Sequence, residues 1–175
     1  VPVLAGSAGQ DIGIGELLDA AITFFPRPNA GRTVTLAEGQ LVCNGEGDGM
    51  AVVFKSVNDP FVGQLAYLRV FTGVFRSDSE AFNTANGSRE RIGSLLYVNG
   101  KEQAAAEEAG PGEIVALAKL KNTRLMDTLA AKANGRRFAH IDFPPPTMSY
   151  AVFAVKQGED EKISTGLARL AEEDP

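Results

Sequence analysis

The sequence predicts a mainly β protein, a small antiparallel β-barrel flanked by a strand-helix unit on each side. Three observations carry this reading. Short β-rich runs separated by turn signals fill the chain from residue 49 to about residue 131, a helical apolar stripe precedes them, and a second stripe follows from about Glu159.

The first segment opens on the apolar run Val1-Pro2-Val3-Leu4-Ala5, which reads as a strand, and passes through a Gly/Ser-rich turn. Ile14, Leu17, Leu18, Ala21, Ile22 and Phe25 then recur at helical spacing on one face. Pro26 and Pro28 end that helix, because proline lacks the N–H that a helix interior needs. Residues 1–28 thus resemble the closing unit of an α/β sheet. Residues 29–48, with Gly31, Gly39, Gly45 and Gly47, show little periodicity and read as a mobile connector.

Strand candidates in the central block, residues 49–133, are 50–57, 64–75, 80–84, 88–98, 101–105 and 113–118. Asn86-Gly87 and Asn99-Gly100 predict type I′ hairpin turns, since both residue types accept positive φ. Five or more antiparallel strands at this spacing favour a closed barrel. Residues 104–109 have helical propensity, but a strand and loop fit the surrounding pattern better. Residues 134–146, with Arg136-Arg137 and Phe143-Pro144-Pro145-Pro146, form a second linker.

In the last segment, residues 147–175, a strand is expected at 147–155, and Ile163, Leu167, Leu170 and Ala171 share a helical face. Two or three buried apolar side chains at roughly 1.5 to 3 kcal/mol each do not offset the ordering of about thirty residues at ~1 to 2 kcal/mol each. This segment is expected to lean on the barrel or to be partly disordered. The start at Val1 without a methionine, and the stop at Pro175 after a helical pattern, read as a piece of a longer protein.

Composition excludes more than it identifies. A net charge of -5 gives no overall attraction to phosphate backbones, and between residues 49 and 131 nine basic residues meet nine acidic ones. Any nucleic-acid contact must be local, with Lys119, Lys121 and Arg124, or Arg136 and Arg137, as candidates. The single cysteine, Cys43, excludes an internal disulfide and favours a cytoplasmic location. No run reaches membrane-spanning length, so no membrane partner is expected. Asn86-Gly87-Ser88 matches a glycosylation triplet that is frequent by chance.

No residue set predicts catalysis or a metal site. The glycine-rich turn at residues 6–15 leads into a helix, where backbone N–H groups can hold an anion, but it lacks the Gly-Lys-Ser/Thr of a phosphate loop and the third glycine of a dinucleotide fingerprint. A structural turn and a nucleotide contact both remain open there. Gly45-Glu46-Gly47-Asp48-Gly49 lacks calcium-loop spacing and reads as flexible linker. His140, with Asp142 nearby, has no nucleophile or ligand set around it. Glu107-Glu108 and Glu172-Glu173-Asp174 read as solvated faces.

Three motifs are more specific than their chemistry. Asp59-Pro60-Phe61-Val62-Gly63, Leu68-Arg69-Val70-Phe71-Thr72-Gly73 and Arg89-Glu90-Arg91-Ile92-Gly93-Ser94-Leu95-Leu96, in this order and spacing, resemble the second domain of bacterial elongation factor G. Pro2-Val3 through Gly6-Ser7-Ala8, with the Leu17-Leu18-Asp19-Ala20 helix, resembles the close of that family's GTPase domain. Phe143 to Pro146, and Lys162 with the stretch from Leu167 to Pro175, resembles the start of its ferredoxin-like third domain. The resemblance covers nearly the whole chain.

The resemblance implies a translation-factor domain II barrel that docks on small-subunit ribosomal RNA and proteins. It also implies a parent translational GTPase using GTP with Mg2+. Gly6, Ser7 and Ala8 match the family's guanine-contacting turn. The phosphate loop, the switches and the Asn-Lys-x-Asp motif have no counterpart in these residues, so this piece alone is expected to bind no cofactor, to be inactive, and to be monomeric or weakly self-associated. Leu125-Met126 stands where the family has a Thr-Gly turn, and residues 98–103 and 157–160 also depart from the family pattern. These departures leave open an elongation-factor-G-like paralogue or, further off, a ribosomal protection protein; a stand-alone β-barrel binding module is the remaining alternative.

Overall fold

The computed structural model describes residues 1–59, 62–156 and 158–173. A single 3-10 turn (Ala8–Gln10) leads into α1 (Ile14–Phe24), and the first two strands, β1 (Thr33–Thr35) and β2 (Gln40–Val42), form a hairpin. The central strands are β3 (Met50–Asp59), β4 (Gly63–Thr72), β5 (Phe75–Arg76), β6 (Ser79–Asn83), β7 (Arg89–Ile92) and β8 (Leu95–Asn99). They continue with β9 (Glu102–Ala106), β10 (Glu108–Ala109), β11 (Ile114–Ala118) and β12 (Thr128–Ala130), and α2 (Asp160–Glu173) ends the described chain.

Eight strands form one antiparallel sheet in the order β7-β6-β12-β3-β4-β11-β8-β9, and β5 pairs with β10 beside it. The sheet curls because its inward residues must bury one another: Ala51, Val53, Ala66, Leu68, Val70, Ile92, Leu95, Val115, Leu117 and Leu129 share one core. Ser77, just before β6, ties that side of the sheet to β8 and to the end of β9. Its N–H donates to Glu107 O at 2.9 Å, its Oγ donates to Ala106 O at 2.7 Å and accepts from Leu95 N at 3.0 Å. The mainly β architecture expected from the sequence is the one observed.

Several local expectations are corrected. Residues 29–48 contain the β1–β2 hairpin, whose Leu36 and Leu41 build a second small core with Met50 and Ala130, closed over by Val34, Phe71 and Phe138. The segment lacks periodicity because its strands are three residues long. The expected strands at 1–5 and 147–155 are not formed, since a strand requires a ladder and no described segment pairs with either. The candidate at 88–98 is two strands, broken at Gly93-Ser94. The expected type I′ turns are also replaced. Asn99 pairs with Glu102, so the loop centres on Gly100 and Lys101, and positive φ falls on Gly100 alone, as in a type II′ turn. Between β6 and β7 the loop is longer: Gly87 N donates to Asn83 O, and Gly87, not Asn86, holds the positive φ.

The glycine run at 45–49 is a packing device rather than a free linker. Gly73 turns with φ 62 directly against it, and a Cβ there would lie 2.5 Å from both Gly47 O and Gly49 N. Thr72 Oγ1 and Gly73 N both donate to Asn44 O at 3.0 Å, fixing the crossing.

Gly73→Ala is expected to destabilise the fold by about 2 to 4 kcal/mol, the sum of a left-handed backbone and an unrelievable backbone clash. Gly87→Ala, with the same sign of φ but nothing within 4 Å, should lose only about 1 to 2 kcal/mol. Urea midpoints of the two variants measure the difference.

Candidate functional site

The glycine-rich turn before α1 closes on itself. Ser7 N–H donates to Ile12 O at 2.9 Å and Ile12 N–H returns to Ser7 O at 3.1 Å. Gly6 and Gly13 pass so closely that a Cβ on Gly6 would stand 2.6 Å from Ile12 O, and one on Gly13 2.7 Å from Ala5 O. Of the three predicted nucleotide contacts, Ser7 thus has its N–H engaged. The N–H groups of exposed Gly6 and Ala8 have no acceptor among the described residues. None of α1's residues is buried, and Ile22 and Phe24 are among its open apolar side chains.

The second site is the connection from β11 to β12. Glu90, on β7, is buried, and its carboxylate accepts from Lys121 N at 3.1 Å, Asn122 N at 2.6 Å and Thr123 Oγ1 at 2.9 Å. Asn83, fully buried on β6, donates to Asn122 O at 3.2 Å and to Asp127 Oδ2 at 2.7 Å, while its Oδ1 accepts from Ala85 N. Asp127 Oδ2 also accepts from Arg124 N at 2.8 Å. Two interior side chains therefore fix a loop that presents Lys121 and Arg124 outward, and neither cation is in an ion pair among the described residues.

Within this loop Asp127 N donates to Arg124 O at 3.2 Å, and Met126 lies at φ 68. Positive φ at the third residue is the type II pattern, which favours glycine. The backbone thus keeps the turn for which the resemblance supplies Thr-Gly, with a methionine in the glycine position. A cleft of about 810 Å³ separates the loop from Ala171 and Glu172 of α2. Glu173 pins that helix to β3, its Oε1 accepting from both Asn58 N and Asn58 Nδ2 at 2.7 Å.

The other candidates are dispersed. Arg136 Nη2 donates to Gln40 O at 2.6 Å, so one of the paired arginines holds the β1–β2 hairpin. Arg137 and exposed His140 border a hollow of about 210 Å³ with Asp127 and Phe138. Glu108 pairs with Arg76 at 3.1 Å and Asp48 with Lys132 at 2.8 Å, both in solvent. No cluster of His, Cys, Asp and Glu suited to a metal occurs among the described residues. Cys43 is buried and free; burial pushes its thiol up, and Arg32 and Arg69 pull it partly back. Tyr97 is raised by its hydrogen bond to Glu113 and, less, by burial. Pro60 and Phe61 of the Asp59-to-Gly63 motif, together with Gln157, Asp174 and Pro175, lie outside the described residues.

Sequence reading missed Glu90 and Asn83 as anchors. A signal existed for the first: in Arg89-Glu90-Arg91-Ile92 the glutamate has the same strand parity as the fully buried Ile92.

Residues 48–132, which include both anchors and the whole pinned loop, match the family model Elongation factor G domain 2. Over 180 aligned residues the chain is 36% identical to the Elongation factor G of Pseudothermotoga lettingae, an alignment spanning 100% of this chain and 26% of that protein. A crystal structure of a protein from Thermus thermophilus matches 95% of the chain and 24% of its own length, with a TM-score of 0.74 and 26% identity. The chain spans about a quarter of the length of these relatives.

Glu90→Ala strands three donors at once and is expected to destabilise the barrel by about 3 kcal/mol or more. Cleavage after Lys121 and Arg124 in limited trypsin digestion should rise with it. Met126→Gly acts in the opposite direction, relieving the left-handed backbone against a smaller unfolded-state penalty, for a net gain of up to about 1 kcal/mol in urea unfolding.

Proposed function

Since the chain belongs to the elongation factor G family, carrying its domain 2 at residues 48–132, we propose that it is part of a ribosomal translocation GTPase, in which it docks the factor on the ribosome and couples GTP hydrolysis to movement. The observation that carries the docking role is the loop held by Glu90 and Asn83, a rigid mount for two cations that have no ion pair among the described residues, in a barrel whose overall charge is balanced. Phosphate recognition rewards such a mount, because Lys121 and Arg124 are ordered before the RNA arrives.

In this reading residues 1–28 close the GTPase domain, 29–48 link it to the barrel at 49–133, and 134–146 lead to the start of the third domain at 147–175. At the nucleotide, the open N–H groups of Gly6 and Ala8 suit a guanine carbonyl oxygen, while Ser7 shapes the turn through its own hydrogen bonds to Ile12. GTP, with Mg2+, would supply the hydrolysis energy in the parent. No Gly-Lys-Ser/Thr sequence occurs in this chain, so these residues by themselves neither bind GTP firmly nor hydrolyse it. The setting is the cytoplasm, with the ribosome as partner. Similarity along the entire chain disfavours a stand-alone barrel module and does not favour a paralogue or protection protein.

Binding to isolated small ribosomal subunits, titrated with salt, tests the docking surface. The Lys121→Glu, Arg124→Glu double variant should bind more weakly and lower the slope of log K against log salt by about 0.7 to 0.9 for each phosphate that is no longer neutralised. An unchanged affinity and slope would remove this loop from the interface.

A further inference from the structure

A second cationic surface lies on the outer side of the sheet. Residues directly opposite in an antiparallel ladder share a face. Two such rows cross the strands: Lys55, Tyr67, Ala116 and Leu96 in one, and Val52, Arg69 and Ile114 in the other. The alternating residues Ala66, Leu68, Val70, Val115 and Leu117 fill the core, which fixes these rows as the outward face. Neither row contains a carboxylate.

The face combines open rings with unpaired cations. Phe54 is 41% exposed and meets Tyr67 edge-on, with ring centroids 6.5 Å apart. Lys55 Nζ stands 5.8 Å from the Tyr67 centroid, and Arg69 Cζ 5.9 Å from that of Phe71. Phe71 is covered by Phe138 at 4.6 Å, which leaves Phe54 and Tyr67 as the accessible rings. Beside them Arg32 and Arg69 border one hollow of about 280 Å³ with Cys43 at its edge, and both guanidiniums act on that same thiol. Arg32, Lys55 and Arg69 have no ion pair among the described residues.

We propose that this outer face of β3, β4 and β11 binds single-stranded RNA, with Tyr67 and Phe54 stacking unpaired bases and Lys55, Arg69 and Arg32 holding the backbone phosphates. A sheet presenting aromatic rings between cations is the arrangement that engages splayed bases, whereas a duplex keeps its bases stacked inside and offers such rings nothing. An apolar protein partner fits poorly, because docking would bury three cations with no carboxylate in either row to pair them. The surface is separate from the loop of Lys121 and Arg124, and its binding does not depend on the docking role given to that loop.

Fluorescence anisotropy of this chain with a labelled single-stranded RNA octamer and with a duplex of the same sequence, at about 50 mM salt, tests the assignment. Tyr67→Ala should weaken octamer binding by about 5- to 150-fold, the range for one stacked base, and Tyr67→Phe should retain it. Arg69→Ala should weaken binding and reduce the salt slope by about 0.7. Tyr97→Ala, an exposed tyrosine outside both rows, should leave binding unchanged, and the duplex should bind more weakly and ignore Tyr67→Ala. Should Tyr67→Ala fail to fold, Phe54→Ala reads the same stacking at an exposed ring. Absence of octamer binding by the wild type, or wild-type affinity in folded ring and Arg69 variants, overturns the proposal.

Discussion

The buried carboxylate of Glu90 is the interaction on which one end of the barrel depends. A charge taken out of water is tolerated only when hydrogen bonds replace its hydration. Glu90 obtains three, all from successive residues of the chain leaving β11. Those donors would themselves be orphaned, because the segment there has left one ladder and has not entered the next. Asn83 answers from the neighbouring strand, accepting from its own loop and donating to the far side of the same connection. With the connection fixed between β6 and β7 on one side and β3 on the other, β12 enters the sheet in register, Leu129 opposite both Ala51 and Asn83.

The same economy of acidic groups explains why a balanced charge count misleads. Glu90 and Asp127 accept backbone and side-chain hydrogen bonds, and Glu113 accepts from Tyr97 Oη and Gly110 N. These carboxylates are engaged in shaping loops, and they do not meet the lysines and arginines nearest in sequence. Several outer cations are therefore in no ion pair among the described residues, those of the β11–β12 loop and of the outer face of β4 included. Local fields of this kind survive a net charge of -5, since solvent and salt screen the remote acidic residues more than the adjacent ones.

Elements with internal periodicity were legible in the sequence. The stripe that begins at Ile14 became α1, which stops at Phe24, and the β-rich runs at 50–57 and 113–118 became β3 and β11, because each is long enough to show its apolar pattern by itself. The β1–β2 hairpin and β12 were not legible, since strands of three residues are too short to show a period and exist through their partners. The hairpin at Asn99-Gly100 was placed correctly but centred one residue early: the ladder register of β8 and β9, which sequence does not display, decides which pair of residues turns. Site anchors were hidden for a related reason. Asn83 looks like an ordinary strand-end residue until a distant loop folds over it.

The position of β12 also imposes an order of assembly. This strand is the only element of the eight-stranded sheet that joins β3 to β6, although it follows both in the chain. As the polypeptide emerges at about 5 to 20 residues per second, the β3–β4 and β6–β7 hairpins can each form early, but the ladder between them stays open for several seconds until residue 130 appears. Closure therefore waits on non-local pairing, the slow kind, and until then the inner edges of β3 and β6 stand exposed to any extended neighbour. A nascent chain halted before residue 128 would hold two half-sheets with no strand to unite them.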